Sequence, residues 1–505
     1  MNIVTLLDMV SSVDPDRIIL GDRHEGMTLG GLRDLADRAA GVLGDHPGRP
    51  LLFSGTATEA FPIALFGATV AGRAFAPVSY RLASGPYAEL VADQLPTTLI
   101  AESGSSDQLR AGPQLSMSTP ADFVAAVRAA APSGTEPEQD PEAPAVLLHT
   151  SGTTGKPKVA VLRHRHLASY VLSGTEMLSA GPDEAALVSV PPYHIAGVAG
   201  LLTGVYSGRR IVQLPNFTAE EWVETAAAQQ ITHAMVVPTM LARIVEVLEQ
   251  TGETLPSLRH LSYGGGRMPR PVIERALALL PHVGFVNAYG LTETTSSIAV
   301  LGPKEHRAAV SSEEPAVRAR LESVGRPLPS VEIVCRDAFG EPVPPGEPGE
   351  LWVRGAQVSG EYSAATQLDD EGWFRTKDAG RIDDEGYVFV EGRLDDVIVR
   401  GGENLSPGEI ENALLQHPAV TDAVVYGQPD EMWGEVVVAA VVTAPGSDPS
   451  PEDLQAWVAS LLRSSRVPAR IRFLSEVPRN DLGKVLRRVL RANPGAAVPS
   501  PRDFG

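Results

Sequence analysis

Apolar side chains recur along the chain in two rhythms, and their alternation sets the expected architecture. "LGGLRDLADRAAGVLG" (29–44) spaces leucines and alanines three and four apart, the repeat of an amphipathic helix. "PLLFS" (50–54) is a short unbroken apolar run, as a buried strand requires. "EAFPIALFGATVAGR" (59–73) and "AFAPVS" (74–79) repeat helix and strand. Strands separated by helices predict a parallel sheet covered on both faces. The alternation resumes in "AVLLHT" (145–150), "AALVSVPPYH" (185–194), "THAMVVPT" (232–239) and "HVGFVNAYG" (282–290). Between these blocks "PSGTEPEQDPEAP" (132–144) has four prolines, four acids and no apolar period, which predicts an exposed connector.

Near residue 325 the pattern changes to short strands and Gly/Pro turns ("VEIVC", "GEPVPPGEPGELWVRG", "GYVFVEGR"), predicting a small antiparallel or barrel-like unit over about 325–393. Beyond residue 395, "SPGEIENALLQHP", "VTDAVVYG", "EVVVAAVVT" and "PEDLQAWVASLLRSS" predict a compact α+β domain over 397–492. The tail "NPGAAVPSPRDFG" (493–505) reads as disordered. The expected fold is therefore α/β, a large N-terminal domain (1–393) followed by a small α+β C-terminal one.

Composition narrows the function. At 505 residues more than one domain is expected, and 43 % apolar with 21 % charged residues is ordinary for a soluble protein. A net charge of −20 argues against a general nucleic-acid or anionic-membrane binder. The sole cysteine, Cys335, rules out an intrachain disulfide or a cysteine metal cluster and suits the cytoplasm. The first residues lack a basic, apolar leader, and no apolar run approaches the roughly 20 residues of a membrane span.

Four stretches carry chemistry. "TSGTTGKPK" (150–158) packs hydroxyls (Thr150, Ser151, Thr153, Thr154), glycines (Gly152, Gly155) and ammonium groups (Lys156, Lys158) behind a buried strand. It fails as a Walker loop at Thr150 and Pro157, but these are the ingredients of a phosphate-gripping turn. "NAYGLTET" (287–294) offers an aromatic face at Tyr289, close backbone approach at Gly290, and a hydroxyl and a hard carboxylate suited to Mg²⁺ at Thr292 and Glu293. Thr292 is equally suited to cap a helix. In "WFRTKDAGRIDDEGYVFVEGRLDDVIVRGGENLSPGEIE" (373–411), Asp378 is placed to accept from ribose hydroxyls and Arg393 to assist, unless these are merely turn residues of a β-meander. In "PRNDLGKVLRR" (478–488) Lys484 follows a turn glycine.

Together, in this order and spacing, the four stretches resemble the adenylate-forming superfamily of acyl- and aryl-CoA ligases, luciferases and peptide-synthetase adenylation domains. The resemblance implies an enzyme that uses ATP and Mg²⁺ to turn a small-molecule carboxylic acid into an acyl-adenylate. The acyl group then passes to the thiol of CoA, or to the phosphopantetheine of a carrier protein. It implies that Thr150–Lys158 grip the ATP phosphates, that Thr292 touches phosphate, and that Glu293 holds the metal. Tyr289, with Asn287, Ala288 and Gly290, would flank the adenine beside "GGGRMP" (264–269). That segment, with Gly265 and Gly266, is looser than the family's usual G-G-[AS]-P-L, and Arg267 replaces its proline. Asp378 and Arg393 would hold the ribose. Residues 394–396 would form the hinge at Asp395, about which the C-terminal domain swings to deliver and withdraw Lys484. His194 in "PPYHIAG" (191–197) would orient the acid or gate the thiol path. Val198, Pro238, Gly264 and Thr294 would line an apolar acyl or aryl pocket. Dimers are common in the family.

Two departures bear on substrate and acceptor. Lys377 stands where the family has glycine before the ribose aspartate. Some relatives in secondary metabolism activate nitrite with ATP and diazotise an aryl amine, and the Lys377 cation keeps that reading open. "RGGENLSPGEIE" (400–411) has the CoA-ligase form of the hinge segment, favouring CoA over a carrier protein. Between Arg463 and Arg491, nine basic residues and two acids form a stretch able to meet CoA phosphates or an acidic carrier, or to be a solvated helix face. A non-catalytic ligand-binding relative is the reading that the intact Glu293, Asp378, Arg393 and Lys484 argue against.

Overall fold

The protein is described by a computed structural model covering residues 1–44, 48–104, 109–137, 139–150, 158–363, 365–479 and 485–492. The expected helix at 29–44 is Leu29–Leu43. The Thr28 hydroxyl caps it by accepting from the Gly31 amide, and Gly44 ends it at φ 69°. Helix Ala60–Val70 is buried along its whole length, because its apolar residues surround the axis rather than forming one stripe. Both pack with the N-terminal helix Val4–Val13 into one hydrophobic core.

Two large sheets form the N-terminal domain. In the first, Phe75–Pro77, Leu51–Ser54, Thr97–Ala101 and Leu115–Ser118 run parallel beside Pro144–Thr150. In the second, Ala185–Val188, His233–Val236, His260–Gly264 and Gly284–Leu291 run parallel. The sheets are mixed rather than wholly parallel. Pro144–Thr150 pairs antiparallel with Lys158–Arg163, and Gly284–Leu291 with Ser296–Leu301. The connections at 151–157 and 292–295 are too short for a parallel crossover, which takes on the order of a dozen residues. Each candidate motif thus begins on a strand that pairs antiparallel with the next strand in the chain.

The unit expected at 325–393 contains an antiparallel sheet of four strands in a row: Val331–Arg336, Gly349–Gly355, Phe374–Ile382 and Val388–Arg393. Arginines cover its tryptophans, with Arg336 4.5 Å over Trp352 and Arg354 4.5 Å over Trp373. The small C-terminal α+β domain carries Val420–Asp430 and Gly434–Thr443 as its long hairpin. Ile398–Arg400 and Arg470–Phe473 pair with the latter strand, and helices Pro407–Leu415 and Pro451–Leu461 pack on the sheet. Among the described residues no helix is long and apolar enough to cross a membrane.

The basic stretch from Arg463 to Arg491 is not the free patch that its charge count implied. Arg466 pairs with Glu403 and Glu409, Arg479 with Asp422, Arg487 with Asp396 and Glu411, and Arg491 with Asp396. The compensating carboxylates lie far back in the sequence, on elements that the fold brings alongside.

Candidate active site

Asp378 and Arg393 come together because their strands form a hairpin in which the two residues are direct partners. Arg393 Nη1 donates to Asp378 Oδ1 and to the Thr376 carbonyl, each at 2.9 Å. The Tyr289 hydroxyl reaches in from strand Gly284–Leu291 and donates to Asp378 Oδ2 at 2.6 Å. Beneath them the Thr376 hydroxyl donates to the Leu351 carbonyl and accepts from the Asp378 amide. The Asp378 carboxylate is therefore fixed in rotation, while each oxygen keeps a lone pair for a hydroxyl of a bound sugar. Enclosure and then the Asp378 charge push the Tyr289 phenol well above its ordinary range. Burial works against the Arg393 charge, but Asp378 outweighs it and the pKa is raised.

Glu293 lies in the 3₁₀ turn Thr292–Thr294, between strands Gly284–Leu291 and Ser296–Leu301. Thr295 and Ser296 leave this turn with φ of 54° and 84°, a left-handed path costly for residues other than glycine. Gln357 holds it, donating to the Thr294 and Ser297 carbonyls while its own carbonyl accepts from the Thr295 hydroxyl. Gly290 is required locally, since a Cβ there would come within 1.9 Å of the Ser296 carbonyl oxygen. The Tyr362 hydroxyl donates to Glu293 Oε1, and Lys158 Nζ lies 5.3 Å from the centre of the same ring. The Ser359 and Gly360 amides bind the Glu293 carbonyl at 2.8 and 3.0 Å. Tyr362 and Gln357 are site residues that the sequence reading missed. Tyr362 is placed by a two-residue strand, Glu361–Tyr362, pairing with Ala160, and two Arg163–Glu361 bonds of 2.7 Å clamp that pairing.

Among the described residues no three His, Cys, Asp or Glu side chains converge on one point. Mg²⁺ is usually held by one or two carboxylates together with substrate phosphates. Glu293, half-buried and anchored on one oxygen, presents its other oxygen as such a donor.

Other predicted residues are placed differently. Asn287 is buried and donates to the Ser323 carbonyl, so it supports the strand. Gly264 abuts the Ala288 carbonyl, which would lie 2.3 Å from a Cβ, and Gly265 takes a φ of 78°. Arg267 does not turn toward Tyr289, and its guanidinium donates to the Gly408 carbonyl of the C-terminal domain at 2.6 Å. Val198 and Thr294 are fully covered and Pro238 is buried. Val198 belongs to the main hydrophobic core, and the Thr294 hydroxyl is bonded within its own turn. None of the three is an open pocket wall in this structure. His194 precedes helix Ile195–Ser207, with its ring 4.4 Å from Tyr193 and its Nε2 closed off from solvent without a partner among the described residues. Burial, helped by Arg81, pushes its pKa down to about 3, so the ring is neutral. Asp395 is exposed in the 3₁₀ turn Leu394–Asp396. Thr150 ends its strand, paired through the backbone with Lys158. Ser151, Gly152, Thr153, Thr154, Gly155, Lys156, Lys484 and the 493–505 tail lie outside the described residues.

Sequence models of known families match this arrangement in two blocks: that of the AMP-binding enzyme over residues 7–363 and that of the AMP-binding enzyme C-terminal domain over 409–484. The chain is 35 % identical over 473 residues to the fatty acid–[acyl-carrier-protein] ligase ScoC of Streptomyces coeruleorubidus, covering 90 % of this chain and 88 % of that one. It is 32 % identical to the feruloyl-CoA synthase of an Amycolatopsis species, covering 90 % of each. Among solved structures, o-succinylbenzoate CoA synthetase of Bacillus subtilis with its acyl-adenylate intermediate superposes with a TM-score of 0.82. It shares 27 % identity, over 96 % of this chain and 97 % of that one. The chain belongs to the AMP-binding enzyme family and is an ATP-dependent, AMP-forming ligase.

Proposed function

We propose that this ligase activates an apolar acyl or aryl carboxylic acid as its adenylate and transfers the acyl group to CoA. The observation that carries this reading is the joining of two devices across one strand. Tyr289 reaches the Asp378–Arg393 pair, and Glu293, two residues past the strand's end, accepts from Tyr362, whose ring lies beside Lys158. The first device suits a ribose and the second a metal-bound polyphosphate, which supports an α-phosphate lying between them.

Each side chain then has a defined task. Asp378 accepts from the ribose hydroxyls and Arg393 orients that carboxylate. Tyr289 lays its ring beside the adenine. Thr292 and the 150–158 segment hold phosphate oxygens. Mg²⁺ at Glu293 supplies charge neutralisation for the departing pyrophosphate. Lys484 bridges the attacking carboxylate and the α-phosphate, two anions that otherwise repel. His194, held neutral, offers a hydrogen bond to the acid without adding charge. The C-terminal domain turns about Asp395 between adenylation and thioester formation. The sole thiol, Cys335, is buried and takes no part, which fits work in a reducing cytoplasm.

A carrier protein is the second acceptor to test, since the 35 % identical relative bears an acyl-carrier-protein ligase name. The test is ATP–pyrophosphate exchange across aryl, short, medium and branched acids, with nitrite included, followed by AMP release with CoA or a carrier protein. Exchange with at least one carboxylate, nearly abolished in Lys484→Ala, is expected. Undiminished exchange in that variant removes Lys484 from the reaction. Exchange with nitrite alone replaces the carboxylate reading.

A further inference from the structure

A cleft of about 960 Å³ separates the four-stranded sheet from the C-terminal domain, and Arg267, Glu322, Glu391, Ser406 and Asn412 line part of it. Three hydrogen bonds span it there. Arg267 Nη1 donates to the Gly408 carbonyl at 2.6 Å, Ser406 Oγ to the Glu391 carbonyl at 2.9 Å, and Asn412 Nδ2 to Glu322 Oε2 at 3.2 Å. Arg267 is exposed at the cleft, and the carboxylates Glu411, Glu322 and Glu391 act on its charge. Gly408, near the start of helix Pro407–Leu415, fits only because it has no side chain. A Cβ there would lie 2.4 Å from Arg267 Nη1 and 2.6 Å from the Glu391 carbonyl oxygen. The arginine end can move aside, but the backbone carbonyl cannot.

We propose that Arg267 is a positioning residue that docks the C-terminal domain in this orientation through the Gly408 carbonyl, and that this contact sets the balance between the two half-reactions. The inference rests on the reading that the C-terminal domain takes a different orientation for each half-reaction. Three hydrogen bonds beside an open cleft are a small attachment, so deleting the charged donor shifts the equilibrium appreciably. A contact made in one orientation alone favours the half-reaction served by that orientation, and its loss favours the other. Arg267 also lies three residues after Gly264, where strand His260–Gly264 touches Ala288 beside Tyr289, so the docking residue is continuous with the nucleotide site.

The test uses the full-length chain carrying Glu224→Cys and Ala459→Cys, both on exposed helix positions, labelled with a fluorophore pair. Arg267→Met and Gly408→Ala should each depopulate the interdomain distance of the parent protein. Each should also lower one and the same half-reaction about tenfold, with the other within about twofold. Arg267→Lys should recover part of the loss, and the double variant should be no worse than either single one, since both remove one contact. An unchanged distance in Arg267→Met, or parallel loss of both half-reactions at unchanged melting temperature, overturns the proposal. If Gly408→Ala fails to fold, Arg267→Met and Arg267→Lys carry the test. If the parent shows no exchange with any acid, the activity reading fails, and the distance measurement still decides whether Arg267 docks the domain.

Discussion

The hydroxyl of Tyr289 lies 2.6 Å from the Asp378 carboxylate, so the residue expected to face adenine also fixes the residue expected to hold ribose. A hydrogen bond to a charged group contributes about 1.5–3 kcal/mol. Tyr289→Phe keeps the ring and loses this bond, and should raise KM for ATP roughly tenfold with little change in the KM for the acid. Steady-state kinetics at varied ATP check this, and an equal rise in both constants would refute it.

Tyr362 gives a second test. Tyr362→Phe keeps the ring beside Lys158 and removes the donor to Glu293. The magnesium concentration for half-maximal pyrophosphate exchange should rise, and kcat should fall by about tenfold. A magnesium titration that superposes on that of the parent would show that Tyr362 does not position the carboxylate.

Lys377 occupies a left-handed backbone position, φ 60°, within strand Phe374–Ile382, and its amide donates to Glu350 Oε1. Such a conformation costs about 1 kcal/mol in a residue with a Cβ. Lys377→Gly should therefore leave stability unchanged or raise the melting temperature by about 2 °C. A drop of several degrees would mean that the lysine side chain contributes binding of its own.

Buried neutral histidines set the acid stability. Burial drives His149, His164 and His233 down to about 4, and His166 and His194 down to about 3. The unfolded chain takes up protons near the ordinary histidine value of about 6.5, while these folded groups do not. Below that value the unfolded state binds more protons, so stability falls as pH drops through about 6.5 toward 4. Melting temperature measured from pH 7.5 to 5 should decline steadily, and a flat profile would contradict the burial of these rings.

Much of this was legible in the residues themselves. The 29–44 and 59–73 helices follow from apolar spacing. The joint placement of Asp378 and Arg393 was implied only by the family resemblance, and the hairpin that makes them partners is a finding of the structure. What was not legible came from contacts between distant segments. Tyr362 belongs to a two-residue strand too short to give a period, and its pairing with the distant Ala160 and the Arg163–Glu361 bonds fix it. Four arginines of the basic stretch, Arg466, Arg479, Arg487 and Arg491, are paired with Asp396, Glu403, Glu409, Glu411 and Asp422, which no local count reveals. Arg267 sits in a segment whose pattern points to a nucleotide, yet its side chain serves the other domain.

The bond from Arg267 to Gly408 also decides where this enzyme can be recombined with its relatives. The natural crossover for exchanging C-terminal domains is the turn Leu394–Asp396, but a cut there parts the donor from its acceptor. A grafted domain with any side chain at the position of Gly408 would meet the Glu391 carbonyl, and a recipient with proline at 267 would offer no donor. Working chimeras should therefore take residue 267 and the Gly408 position from the same parent, though the two lie on opposite sides of the seam.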